Sequence, residues 1–255
     1  RDTVMAPPNK GYRGIWKWRD TYPMATATQE RLWRYATLAQ SASAATVGSV
    51  LIVHLAAPVV AALVPGPSGV DLANQTMLLG REYYQQALLE PIVVWGAMGV
   101  HLGASAVRRW LRPPKRTSWH ALAGLALLPV VAWHVCLNRL VPMTSRAPIA
   151  HLSPSELDMA HVGAGLQTFP IVTWCFYTWL CVAGAVHMVG GLPKLRRRCA
   201  RTRSAMQAGL ALAGVLLLGT WAIGRYATHG VARGTLDRIV YCYRQVWPYA
   251  WLHRA

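Results

Sequence analysis

Acidic residues are scarce in this chain. Only 9 Asp and Glu stand against 26 Lys and Arg in 255 residues, for a formal net charge of +17. No paired acidic site is discernible, nor any HExxH, GxSxG or P-loop pattern, so no hydrolase or nucleotide-binding signature is present. Charged residues of both signs make up only 14% of the chain, well below the quarter usual for a soluble domain, while apolar residues make up 54%. The five cysteines form no CxxC pair and are odd in number, which excludes a disulfide framework and a zinc finger. Phenylalanine is nearly absent, at 2 residues, yet tryptophan reaches 12. Tryptophan enrichment fits side chains seated at a membrane–water interface.

The cations are not spread over one face, as a nucleic-acid binder would have them. They collect between long apolar runs, so lipid is the expected partner and nucleic acid is not. Residues 1–38 form a basic, aromatic arm, with Lys10, Arg13, Lys17, Arg19, Arg31 and Arg34 among Trp16, Trp18 and Trp33. Two readings are open for it: a solvated arm, or an interfacial helix from Thr26 onward, where Thr26 and Gln29 suit a capping box. Residues 39–225 hold five apolar runs at about 39–64, 88–108, 119–142, 170–192 and 205–225. Each is long enough, at about 1.5 Å per residue, to cross a hydrocarbon core of roughly 30 Å. The first starts too far along the chain to read as a cleavable signal peptide. Residues 65–86 and 143–169 read as loops, the second with Ser153 and Glu156 as a helix cap. The tail, 226–255, alternates basic and aromatic residues and reads as interfacial. The expected fold is an all-α, integral-membrane five-helix bundle. The N-terminal arm, the second–third loop and the fourth–fifth loop hold 18 of the 26 Lys and Arg, which defines a basic face, expected to be cytosolic or matrix-facing.

Four of these runs carry one central histidine each: His54, His101, His134 and His187. An ionisable side chain is costly in hydrocarbon and marks a functional candidate. Odd runs lead away from the basic face and even runs return to it. His54 and His134 are then displaced toward the less basic face, and His101 and His187 toward the basic face. The offset is roughly 10 Å at 1.5 Å per residue. Two pairs at two depths suit two bis-imidazole sites for haem b, each imidazole giving one nitrogen to iron and its other N–H to a second acceptor. Glycines supply room: Gly96, Gly99 and Gly103 near His101, and Gly184, Gly190 and Gly191 near His187. Arg108 and Arg109, with Lys194, are propionate partners for the basic-side pair, and Arg139 for the other. A bland reading stands beside each assignment. A lone intramembrane histidine often serves as an interhelical hydrogen-bond donor, Arg139 can snorkel, and Glu90 before Pro91 can cap its helix. His120 reads as interfacial. His151, His161, His229 and His253 fall in loops or tail, with His161 beside Asp158 as a candidate proton or quinone group. The segments around His101 and His187 also align, with 47 and 53 residues between successive histidines in the two halves, a faint internal repeat.

One histidine on each of the first four of five spans resembles the dihaem cytochrome b membrane anchor of succinate:quinone oxidoreductases and fumarate reductases. That likeness implies the same pairing, His54 with His134 and His101 with His187, and a possible quinone. The segments "REYYQQALLEPIVVWGAMGVHLGASAVRR" and "SWHALAGLALLPVVAWHVCLNRLVP" are similar to the fungal MCP transmembrane family, over about residues 35–225. Its most specific piece is H-x4-R-x2-P, here His134, Arg139 and Pro142. The resemblance implies a five-span mitochondrial membrane protein, with the outer membrane favoured, acting in membrane organisation and lipid homeostasis with a protein partner in a membrane complex or contact site. The alternative is a dihaem subunit of an inner-membrane respiratory complex, carrying electrons between a quinone and a partner. No catalytic residue is expected in either.

Overall fold

Thr26 starts the first helix as its sequence foretells. Its hydroxyl accepts from the Gln29 N–H at 3.2 Å, and the Gln29 side chain accepts from the Thr26 N–H at 3.1 Å, closing a capping box. The computed structural model describes residues 26–114, 116–152, 157–195 and 202–252. The remainder of the arm, the Ser153–Glu156 cap and the Lys194 side chain lie outside the described residues. Helix α1, Ala27–Leu63, runs unbroken for 37 residues. The expected interfacial helix and first span are thus one element, and of the two readings of residues 26–38 the helical one holds. At about 1.5 Å per residue it is far longer than a bilayer core, so its first turns project beyond the span.

Helix α2, Pro67–Tyr84, occupies a segment expected to be a loop. Its signal is a stripe, Val70, Ala73, Met77, Gly80 and Tyr84, at alternating spacings of three and four, all buried. This is the periodicity of one helix face. It packs on Ala57 and Ala61 of α1. Asp71, Arg81 and Glu82 lie off that stripe, and their charge made the segment read as a loop.

A π-wound stretch, Glu90–Gly96, leads into α3, Ala97–Leu111. Helix α4, Trp119–Val135, is capped by Ser118 and continues as a second π-wound stretch, Cys136–Leu140. Helix α5 is Met159–Thr168, capped by Asp158, whose Oδ1 accepts from the Ala160 N–H at 2.7 Å. Helices α6, Pro170–Leu195, and α7, Thr202–Tyr226, follow, then α8, Arg233–Arg244, and the single turn α9, Tyr249–Leu252.

Among the described residues, four helices are long and apolar enough to cross a membrane: Ala27–Leu63, Trp119–Leu140, Pro170–Leu192 and Ser204–Tyr226. They coincide with four of the five expected spans. The other, 88–108, falls on the continuous helical stretch Glu90–Leu111 but is not among the four. Its α-helical part has only 15 residues, and charge closes both ends at Glu90 and at Arg108 and Arg109. Leucine, isoleucine and tryptophan side chains lie exposed along the helices, for example Ile52, Ile92, Trp179 and Leu218, as they would against lipid.

The helices pack in the order α3–α1–α7–α6–α4. Small residues set the closest approaches. A Cβ at Gly219 of α7 would overlap the backbone of Pro58 in α1, and one at Gly209 would lie 3.0 Å from Val186 of α6. Neither α1 with α4 nor α3 with α6 is among the extensively packed pairs. Side chains of these unpacked pairs nevertheless meet, His54 of α1 with His134 of α4 and His101 of α3 with His187 of α6. At the less basic end a second core forms from the segment after α4, α5 and the tail. Leu137, Ile149, Leu157, Ala160, Ile239, Cys242, Tyr243 and Tyr249 are all buried there. The tail is thus anchored inside the fold and does not merely lie along an interface.

Candidate functional site

Helical geometry places the four imidazoles. His54, His134 and His187 sit in the far halves of their helices and His101 in the first half of α3, and all four are half-buried. The His54 and His134 rings lie 5.9 Å apart, centroid to centroid, with planes at 82°. The His101 and His187 rings lie 6.1 Å apart at 86°. The structure therefore brings together the two pairs that depth predicts. A metal ion between two imidazoles, with metal–nitrogen bonds of about 2 Å on each side, sets ring centroids roughly 6 Å apart. An edge-on contact between two rings gives a similar spacing.

The second nitrogens differ. Nδ1 of His54 lies 3.0 Å from the Tyr84 hydroxyl of α2. Nδ1 of His187 donates to the His120 carbonyl at 2.9 Å. Nδ1 of His101 is buried with no hydrogen-bond partner. The Asn138 amide donates to the His134 carbonyl at 2.9 Å and reaches His134 Nδ1 at 3.2 Å. In that arrangement the His134 proton sits on Nε2. Binding iron through Nε2 requires Asn138 to turn its carbonyl oxygen to an Nδ1–H.

The donor chemistry fits haem. Two neutral imidazoles per site suffice, because the macrocycle supplies the remaining ligands. Among the described residues no group of three or more His, Cys, Asp or Glu gathers to hold a bare metal ion, which a bis-imidazole haem site does not need. The expected room is only partly present. A Cβ at Gly99 or Gly103 would meet nothing within 4 Å, but Gly190 and Gly191 lie under His120 at 3.3–3.4 Å. An apolar groove of about 780 Å³ lies elsewhere, among Trp119, Trp174, Trp179, Val186, Met206 and Leu210, and none of the four histidines lines it.

The arginines expected to meet propionates have protein partners. Arg139 clasps Glu90 through both ends of its guanidinium, Nε to Oε1 at 2.9 Å and Nη2 to Oε2 at 2.5 Å. Glu90 also accepts from Trp95 Nε1 at 3.2 Å. Its role is this ion pair, which joins the two π-wound stretches. Arg108 donates to the Gln40 side chain and lies 5.4 Å from the Trp33 ring, and Arg112, over the same ring at 4.4 Å, pairs with Glu30. These contacts tie the basic end of α3 to α1. Arg109 stands beside them, half-buried.

Sequence reasoning misplaced three residues. Tyr84 was hidden in the supposed loop. His120 lies stacked on His187, with centroids 4.3 Å apart and planes 6° apart. His161, expected near a surface, is 2% exposed and stacks on Tyr243 at 5.1 Å. Burial pulls the His161 imidazole down to about 4. Burial likewise raises the Asp158 carboxyl, with Arg81 opposing.

Residues 129–230 match the family model described as MDM10-complementing protein 1, transmembrane domain. The match takes in His134, Arg139, Pro142 and His187, and it leaves His54 and His101 outside. No curated protein and no solved structure matches the chain.

Proposed function

We propose that the protein is a five-span mitochondrial membrane protein of the MCP family that holds haem b between His54 and His134 and between His101 and His187, and acts in membrane organisation and lipid homeostasis. The observation that carries the haem assignment is the meeting of two histidine pairs, at 5.9 Å and 6.1 Å, on helices that do not otherwise pack extensively. The family match over 129–230 supports the family reading. A fifth crossing by Glu90–Leu111 is supported by its continuous helix and its exposed apolar side chains, Ile92, Val100 and Leu102. The outer membrane, a lipid environment and a protein partner at a membrane complex or contact site accompany this reading.

Haem bound at these pairs supplies one-electron chemistry. The residues of the chain fix the second nitrogens of two of the imidazoles, through Tyr84 for His54 and through the His120 carbonyl for His187. For the other pair member, Asn138 must present its oxygen to His134. Arg139 and Arg108 reach a haem carboxylate only by leaving Glu90 and Gln40.

A second reading, a dihaem anchor that carries electrons between a quinone and a redox partner, draws on the two depths of the pairs. One pair neighbours the π-wound stretches near the less basic face, and the other neighbours the start of α4 near the basic face. Rapid reduction of bound haem by a quinol would favour it over a structural haem.

The deciding experiment is the pyridine-haemochrome spectrum of the purified protein. Two haems per chain are expected, with His101→Ala and His134→Ala each removing about half. A colourless protein sinks the haem assignment. Equal small losses in both variants sink the two-site arrangement.

A further inference from the structure

His120 and His187 are each followed four residues later by a glycine, Gly124 and Gly191. In a helix the residue at i+4 stands over the carbonyl of residue i. A bare Cα there opens that carbonyl to a side chain from a neighbouring helix. The structure uses both openings. Nδ1 of His120 donates to the His187 carbonyl and Nδ1 of His187 donates to the His120 carbonyl, each at 2.9 Å, while the rings stack in parallel at 4.3 Å. A Cβ on Gly124 would stand 2.6 Å from His187 Cε1 and 2.8 Å from its Nδ1, and one on Gly191 would stand 3.3 Å from His120 Cε1.

We infer that His120 is a positioning residue for the basic-side pair: with Gly124 and Gly191 it forms a reciprocal clasp between α4 and α6 that sets the tautomer and direction of the His187 ring. A carbonyl oxygen only accepts, so both rings carry their proton on Nδ1. The Nε2 of His187 is then the lone-pair nitrogen, the form a metal ligand needs. His101, its partner 6.1 Å away, has a buried Nδ1 with no hydrogen-bond partner. Of the two rings, His187 is the one the protein orients. The ligand role of His187 rests on the haem reading above, whereas the clasp stands on the geometry of α4 and α6.

The test uses the full chain in lipid nanodiscs. ¹⁵N-histidine NMR is expected to report His120 and His187 protonated on Nδ1. Protonation on Nε2 in either overturns the clasp whether or not haem is present. If the wild type holds no haem, the haem reading fails and the tautomers alone decide the clasp. With haem present, Gly124→Ala should lose about half of it, the same half that His187→Ala loses, so the double variant loses no more. Retention of both haems with unchanged midpoint potentials overturns the proposal. His120→Phe keeps a ring to stack but removes the donor. It should shift the midpoint potential of one haem only, and His120→Asn, which restores an N–H donor, should shift it back. Should Gly124→Ala lose both haems through misfolding, an unshifted potential in His120→Phe overturns the proposal.

Discussion

A guanidinium near the end of an apolar helix can reach water, a cofactor carboxylate or a carboxylate of the protein. Arg139 takes the last. Its partner Glu90 is 49 residues away in sequence, and the two side chains are 24% and 12% exposed. Removing one member of such a pair strands the other charge. Glu90→Gln is therefore expected to destabilise the protein by on the order of 3 kcal/mol, and adding Arg139→Met should recover most of the loss. Thermal unfolding in detergent measures both, and a neutral single variant would mean that the pair is solvated. His161 makes a second case. Its imidazole is buried and held neutral, with its folded value drawn down to about 4 from 6.5. A group with a depressed folded value contributes stability that is complete above its unfolded value and lost as pH falls. Stability is then expected to decline from about pH 6.5 toward about 4, by on the order of 3 kcal/mol. His161→Phe should flatten that part of the curve, and an unchanged slope would place the titration elsewhere. Neither partner was legible in the sequence. The Glu90 spacing suited a cap, and His161 lay in a presumed loop.

Among the elements, the spans and the first cap were plain, because hydropathy and capping are local properties. Helix α2 was less plain, although Val70, Ala73, Met77, Gly80 and Tyr84 hold the required spacing. The charges on its other face outweighed the stripe. The π-wound stretches left no sequence signal at all. Each widens one turn beside the less basic histidine pair, and such turns recur at functional sites. The contact between α1 and α7 depends on the absence of a side chain at Gly219. Gly219→Leu should force the two helices apart, because the atom it meets is the backbone of Pro58 and cannot swing away. A loss of several degrees in melting temperature is expected. At Gly214, where a Cβ meets nothing within 4 Å, alanine should leave the melting temperature nearly unchanged. Equal effects at the two sites would contradict the packing described.

For the whole molecule, the distribution of cations sets which end faces which compartment, and the number of crossings sets which loops share a side. Ser68 and Arg116 are both exposed and flank the stretch Glu90–Leu111. If that stretch crosses the membrane, Ser68→Cys and Arg116→Cys will be labelled by an impermeant thiol reagent from opposite sides of oriented vesicles. Labelling from the same side would leave four crossings. The sorting of the histidines by depth would then lose its basis, although the rings meet in either case. The contact order of the helices adds what no single span contains. In the row α3–α1–α7–α6–α4, histidines on helices that do not pack extensively still meet.

The sequence by itself determined the all-helical membrane character, the four main spans and the Thr26 cap; it sorted the four histidines into pairs only by counting five crossings. Hydropathy and capping act within a few turns, whereas depth needs the number of crossings as well as the helical rise. Only the tertiary structure decided the partner of Arg139, the contacts of His120 and the burial of the tail. Those depend on side chains from separate helices meeting in space, 49 residues apart for Arg139 with Glu90 and 67 for His120 with His187. No periodicity along one chain records which helices stand side by side, because the bilayer holds apolar helices upright without choosing their neighbours.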